Sequence, residues 1–249
     1  VTGSTGGHPG LPDWLQPVAE AVDRIEAEHL TRFVPPEGAD VRRGAVLMLF
    51  GEGERGGELL LTERAHDMRS HPGQVSFPGG ALDPGEGVVE AALREAEEEV
   101  GVVPSSVEVF GELPELWLPP SNFAVTPVLG WWREPGRVDV VSRAEVHAIH
   151  HAPIEELLDP EHRVTVRHPR GYRSPGFLIG PENDVILWGF TGGIIARLFD
   201  FLGWTRPWDD TRVRDLPEYM LAGDSPAQRA ARSGMLDIEE PEGRQGGPS

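Results

Sequence analysis

Apolar and polar positions alternate along this chain with two different periods. In PVAEAVDRIEAEHL, Val18, Ala21, Val22 and Ile25 recur at helical spacing, which predicts one amphipathic helix over 17–30. Pro35 and Pro36 close that segment. Two short apolar runs follow, GAVLMLF at 44–50 and ELLLTERA at 58–65. They are joined by the glycine-rich GEGERGG and read as strands. Further strands are predicted in SVEVFGEL, NFAVTPVLGWW and EVHAIHHAP, and a hairpin in VTVRH and SPGFLIG. A short helix starts at Pro153, and WGFTGGIIARLFDFLGW at 188–204 is apolar enough for a packed closing helix.

Between the strands lies GGALDPGEGVVEAALREAEEEVGV, which predicts a helix over 87–100 stopped by Gly101. At about 100° per residue, Glu95, Glu98 and Glu99 fall on one face. Val88, Val89, Ala92, Leu93, Ala96 and Val100 cover the adjoining sector, and Glu90, Arg94 and Glu97 take the outer side. A carboxylate stripe at a core boundary cannot stay charged and close-packed without a counter-charge. The spacing alone leaves two readings: a solvated charged face, or carboxylates that hold a hard divalent cation such as Mg²⁺ or Mn²⁺.

Composition narrows the chemistry. The 249 residues carry a formal net charge of −19, so a general nucleic-acid binder is not expected, and a polyanionic substrate needs cations recruited locally. Every basic residue is arginine, which excludes Schiff-base lysine chemistry and a Walker-type phosphate loop. Cysteine is absent, so thiol nucleophiles and Cys-ligated metals are excluded and a reducing cytoplasm is the natural setting. The stretch VTGSTGGHPGLPDW has neither a basic nor an apolar leader segment, and no apolar run is long enough to span a membrane. The expected organisation is a loose segment and helix over 1–39, one α/β domain over 40–205, and a polar, disordered tail over 206–249.

The acidic helix and its approach have a defined spacing. Gly80 is followed after five residues by Glu86, and after seven more by Arg94-Glu95-Ala96-Glu97-Glu98-Glu99-Val100-Gly101-Val102. This resembles the Nudix box at every fixed position, with Ala96 the smallest occupant of an aliphatic place. The resemblance implies an α/β/α sandwich with a mixed β-sheet and a loop–helix–loop catalytic motif. It implies that Glu95, Glu98 and Glu99 bind Mg²⁺ or Mn²⁺, and that Glu95 is also the box position that serves as base in some members. By the same resemblance Glu86 supports the site as a carboxylate or water ligand, Arg94 orients the glutamates, and Gly79 and Gly80 permit close backbone approach. Such enzymes hydrolyse a nucleoside diphosphate linked to another moiety.

The preceding stretch, LLTERAHDMRSHPGQVSFPGG, resembles the signature of the coenzyme A diphosphatase branch of that family. Leu60, Leu61, Thr62, Arg64, Ala65, Arg69, Gly73, Phe77, Pro78, Gly79 and Gly80 all match. Coenzyme A carries a pyrophosphate and a 3′-phosphate, and guanidinium forks suit such groups. Arg64 and Arg69 are therefore the expected substrate-binding arginines, with pairing to a core carboxylate and solvent exposure as their respective structural alternatives. The resemblance continues through LPPSNFAVTPVLGWW, where Asn122 replaces a common glycine, and through EVHAIHHAPIEELLDP and ILWGFTGGII, over residues 40 to 205.

The implied activity is metal-dependent hydrolysis of coenzyme A, or of its acyl or oxidised forms, to 3′,5′-ADP and 4′-phosphopantetheine. The rivals are another nucleotide substrate (ADP-ribose, NADH or a dinucleoside polyphosphate) and a non-catalytic nucleotide-sensing module. The expected partner is a small molecule, with no nucleic acid and no membrane, and a homodimer is left open. Glu145 is a candidate further base or ligand, and His71 a candidate phosphate contact. His147, His150 and His151 lack metal-motif spacing and read as strand positions, one buried and two exposed. Trp117, Trp131 and Trp132 read as core or rim.

Overall fold

A computed structural model describes residues 8–33, 41–68, 71–118, 122–169 and 171–221. Its framework is an eight-stranded mixed sheet. β1 (Arg42–Gly53) lies at the centre, antiparallel to β2 (Gly56–Arg64) on one side and parallel to β7 (Phe123–Trp132) on the other. β3 (Val75–Ser76) and β8 (Val146–Pro153) pair with β2, β4 (Gly79–Ala81) with β1, and β5 (Val107–Glu112) and β6 (Leu116–Leu118) with β7.

The apolar run of β1 is continuous because both faces of the strand are buried. Ala45, Leu47 and Leu49 point to one side, where Ala91, Ala92, Ala96 and Val100 of α3 (Val88–Val100) cover them. Met48 and Phe50 point to the other, packing with Leu15, Val18, Ile195 and Phe199. Those residues come from a short 3-10 turn, α1 (Gln16–Val22) and α5 (Gly189–Phe201). Helices on both faces of a mixed sheet make the α/β/α sandwich expected from the sequence. The predicted hairpin forms as β9 (Arg163–Arg167) against β10 (Arg173–Ile179), after the short α4 (Ile154–Leu158).

Two expectations are corrected. The helix predicted over 17–30 is two helices, α1 and α2 (Ala27–Leu30). Glu26 is extended, and its N–H donates to His29 Nδ1 at 2.9 Å. That local bond gives the backbone an alternative to continuing the helix. The tail expected to be disordered from 206 contributes to the fold: β12 (Val213–Asp215) pairs in parallel with β9, and α6 (Glu218–Leu221) follows. Leu216 and Met220 are buried against Val164, Val166 and Trp188, in a second sheet of order β11 (Val185–Leu187), β10, β9, β12. Residues 222–249 of that tail lie outside the described residues. Among the described residues no helix is long and apolar enough to cross a membrane.

Candidate active site

The site starts from glycines. β4 lies antiparallel on β1, with Ala45 opposite Gly80 and Val46 opposite Gly79. A Cβ on Gly79, whose φ is +156°, would sit 2.4 Å from the Ala45 carbonyl oxygen. A Cβ on Gly80 would sit 2.5 Å from the Glu95 carboxyl group, and one on Gly44 would sit 2.3 Å from the Gly80 carbonyl oxygen. Glycine at all three positions lets β4 lie against β1 and lets Glu95 lie over the loop. Gly44 was not singled out from the sequence; it sits in a strand run whose apolar pattern gives no hint of this close approach.

From β4 the chain loops into α3. The Gly87 N–H donates to Glu90 Oε2 at 3.1 Å as the helix begins. At the other end Gly101 takes the left-handed conformation, φ +75°, and its N–H donates to the Glu97 carbonyl at 2.9 Å. The helix therefore begins and ends where the sequence indicates.

Four carboxylates gather at its exposed edge. Glu99 is 5% exposed, and its Oε2 accepts the Gly79 N–H at 3.3 Å. Burial pushes its carboxyl up to about 8; the negative charges of Glu95 and Glu145 add to this, while the Gly79 N–H and the Arg64 charge oppose it. Glu95 is also raised, first by burial and then by Glu98 and Glu145, against the pull of Arg94. Glu98 is exposed at the surface, with Oε2 3.2 Å from Arg94 Nη1. The three box glutamates do not draw their oxygens into one group within 4.8 Å of each other. Like charges repel, and Arg94 Nη1 holds Glu95 Oε1 at 2.9 Å as well as Glu98.

Arg94 is the organiser of this edge. Its Nε and Nη2 donate to Glu86 Oε1 and Oε2 at 2.8 and 2.9 Å, and Nη2 also reaches the Ala81 carbonyl at 3.2 Å. Glu86 Oε2 accepts the Asp83 N–H at 2.9 Å too. Arg94, with help from that N–H, holds the Glu86 carboxyl down at about 2. Of the two expected roles for Glu86, supporting carboxylate or water ligand, the first fits this geometry, because both its oxygens are committed to the Arg94 clamp and the loop.

Arg64 closes the other side. It ends β2, opposite Val146, after a register shift between Glu63 and Arg64. Its Nε is buried with no hydrogen-bond partner among the described residues, and its charge acts on Glu99. A buried unpaired guanidinium nitrogen is costly, and no acceptor for Arg64 Nε is found among the described residues. Among the described residues no salt bridge from Arg64 to a carboxylate is found, and its charge acts on the buried Glu99. Beside it opens a cavity of about 300 Å³ lined by Ala65, Arg143 and Val146 among others. Arg69 lies outside the described residues. His71 sits at the start of the same loop's described part with φ +56°.

The remaining candidates are sorted by position. Asn122 has φ +49°, a region that asparagine tolerates better than most residues. Its Oδ1 accepts the Trp117 indole N–H at 3.3 Å. Trp131 and Trp132 are core residues. Glu145 is exposed but acts electrostatically on both Glu95 and Glu99.

The donor set suits a hard divalent cation. It is all oxygen, it contains the buried Glu99, whose charged form burial disfavours, and it sets Glu95, Glu98 and Glu99 near the guanidiniums of Arg94 and Arg64. Fold and site together define an α/β/α protein built around a carboxylate-bearing loop–helix–loop. The NUDIX domain model matches residues 40–172, and the chain belongs to that family. It is 41% identical over 191 residues to the uncharacterized Nudix hydrolase NudL of an Enterobacter species, covering 72% of this chain and 95% of that protein. It is 44% identical over 102 residues to Nudix hydrolase 3 of Caenorhabditis elegans, covering 40% of this chain and 42% of that one. Among solved structures it is similar to a Nudix hydrolase from M. smegmatis, RenU, at 17% identity and a TM-score of 0.46, over 68% of this chain and 89% of that chain.

Proposed function

We propose that this protein is a Mg²⁺- or Mn²⁺-dependent hydrolase that splits the pyrophosphate of coenzyme A, or of its acyl or oxidised forms, into 3′,5′-ADP and 4′-phosphopantetheine. The observation that carries this reading is Arg64. It stands in LLTERA, the segment that matches the coenzyme A diphosphatase signature. Its buried Nε has no partner among the described residues, and its charge acts on Glu99.

Glu95, Glu98 and Glu99 would hold the cation. When bound, it supplies charge neutralisation of the pyrophosphate and a water made acidic enough to attack phosphorus. The protein's own groups do the rest. Arg94 keeps one oxygen each of Glu95 and Glu98, leaving the other oxygen of each side chain to face the ligand. Glu95, with its raised proton affinity, is the group placed to accept a proton from attacking water, and Glu145 is the alternative acceptor. Arg64 and Arg69 grip phosphate oxygens as the developing charge moves from the attacked phosphorus to the leaving oxygen. Gly79 and Gly80, assigned to substrate binding on the family resemblance, would serve it by letting β4 lie on β1 and Glu95 lie over the loop.

The reading places the enzyme in the cytoplasm, acting on a small molecule with neither nucleic acid nor membrane as partner, and it admits a homodimer. The test is incubation with coenzyme A and Mg²⁺, followed by mass spectrometry. Equal amounts of 3′,5′-ADP and 4′-phosphopantetheine are expected. Turnover of ADP-ribose, NADH or a dinucleoside polyphosphate in preference to coenzyme A would overturn the substrate assignment. Binding without turnover of any of them would make the protein a nucleotide sensor.

A further inference from the structure

A second group of side chains able to ligate a metal lies at the far end of β2, on two segments that are distant in sequence. Glu63 is the penultimate residue of β2, His66 follows in the next turn, and His147 is the second residue of β8. The antiparallel register sets Glu63 opposite Ala148, which brings His147 alongside. One ligand atom from each of Glu63, His66 and His147 lies within 4.8 Å of the other two. Among the described residues this is the one such group.

Three features make it more than a surface coincidence. Glu63 is 6% exposed, so its carboxylate is held in place by the protein rather than by solvent. Its Oε1 is 2.6 Å from His66 Nε2, and its Oε2 is 2.9 Å from His150 Nε2. His150 thereby grips the oxygen that a cation would leave free, the outer-layer contact that commonly orients a ligating carboxylate. The His66 ring is stacked on Tyr219 of α6, centroids 4.5 Å apart, and lies 4.3 Å from the His147 ring, so the two exposed imidazoles lie side by side against a tyrosine.

We propose that Glu63, His66 and His147 form a binding site for a first-row transition-metal dication of the Zn²⁺ type, separate from the box carboxylates. Two imidazole nitrogens and one carboxylate oxygen are the donor set that such ions prefer over Mg²⁺. Tetrahedral coordination places donor atoms about 3.3 Å apart, and the three ligand atoms here lie within 4.8 Å of one another. On binding, the direct His66–Glu63 hydrogen bond is replaced by shared ligation, with His66 Nε2 deprotonated. His66 and His147 also line the 300 Å³ cavity, so a fourth coordination position is open to water or to a cavity ligand. An ion here would pin the turn after β2 to β8, beside Arg64 and Glu145.

The test uses the full chain in millimolar Mg²⁺, which occupies the oxygen-only site, and titrates Co²⁺ while recording its visible d–d absorption. One equivalent of Co²⁺ is expected, with the intense bands of a low-coordinate nitrogen–oxygen site, and Zn²⁺ should displace it. His66→Ala and His147→Ala should each weaken Co²⁺ binding at least about tenfold, whereas Glu99→Gln should leave it intact. His147 is exposed, so its variant keeps the test valid even where His66→Ala fails to fold; circular dichroism reads that directly. No Co²⁺ uptake above the Mg²⁺ background, uptake indifferent to both histidine substitutions, or uptake lost in Glu99→Gln would each overturn the assignment. None of these readouts depends on turnover, so the outcome is independent of the substrate reading.

Discussion

Glu99 and Glu63 are almost equally hidden, at 5% and 6% exposure, yet their proton affinities move in opposite directions. Burial raises both. At Glu63 the hydrogen bonds from His150 and His66 outweigh burial, and the net shift is downward. At Glu99 only the Gly79 N–H and the charge of Arg64 oppose burial, while Glu95 and Glu145 add repulsion, so the carboxyl is pushed up to about 8. Burial alone therefore does not decide what a glutamate is for. Glu63 is internally satisfied by two rings, whereas among the described residues burial and the neighbouring carboxylates disfavour a charge on Glu99. On the readings proposed above, α3 would carry an oxygen-only cation site and the end of β2 a mixed nitrogen–oxygen one.

Substitutions can break or sharpen this contrast. The largest effect is expected from Glu99→Gln, which should lower Mg²⁺-dependent kcat for coenzyme A by at least about 100-fold, with an unchanged circular dichroism spectrum. A fully active variant would remove Glu99 from the site.

Gly80→Ala comes next. Its methyl would sit 2.5 Å from the Glu95 carboxyl group and must displace it. Activity should fall roughly 10- to 100-fold, as expected for an ångström-scale misplacement of a site group, with only a small change in Tm. Wild-type kinetics would mean that the position of Glu95 does not matter.

The smallest effects concern stability against pH, measured with chelator present. For Glu99 the folded value is raised. Its stabilising contribution is complete below the ordinary 4.5 and is lost as pH rises through about 8, a swing on the order of 4 kcal/mol. Glu99→Gln should therefore be more stable than wild type at pH 9 and no better at pH 5. For Glu63 the folded value is lowered, so its contribution is present above 4.5 and is lost as pH falls below it. Glu63→Gln should be less stable than wild type at neutral pH by about 1–3 kcal/mol, with the gap closing in acid. Parallel pH profiles for the two variants would erase the contrast.

Much of the active-site helix was legible in the sequence, because its signals are local. Gly87, Glu90 and Gly101 bound the helix, its apolar stripe faces β1, and the Nudix spacing places Glu95, Glu98 and Glu99 at one edge. Asn122, a departure from similar sequences, is accounted for by its left-handed backbone. Less was legible where partners are distant or elements are short. The commitment of Glu86 to Arg94 depends on the loop path between them, and spacing alone did not reveal it. β3, β4 and β6 have two or three residues each and show no periodicity. β12 is polar enough to resemble a tail, and pairs because β9 presents an open edge. The Glu63–His150 contact joins residues 87 apart, and only the β2–β8 register brings them together.

The most direct test of the carboxylate account is Mn²⁺ binding, followed by electron paramagnetic resonance of the free ion, in wild type and in a Glu95→Gln, Glu98→Gln, Glu99→Gln triple variant. Wild type should take up Mn²⁺ and release it to excess Mg²⁺, and the triple variant should lose that uptake while remaining folded. Unchanged Mn²⁺ binding in the triple variant would contradict the account.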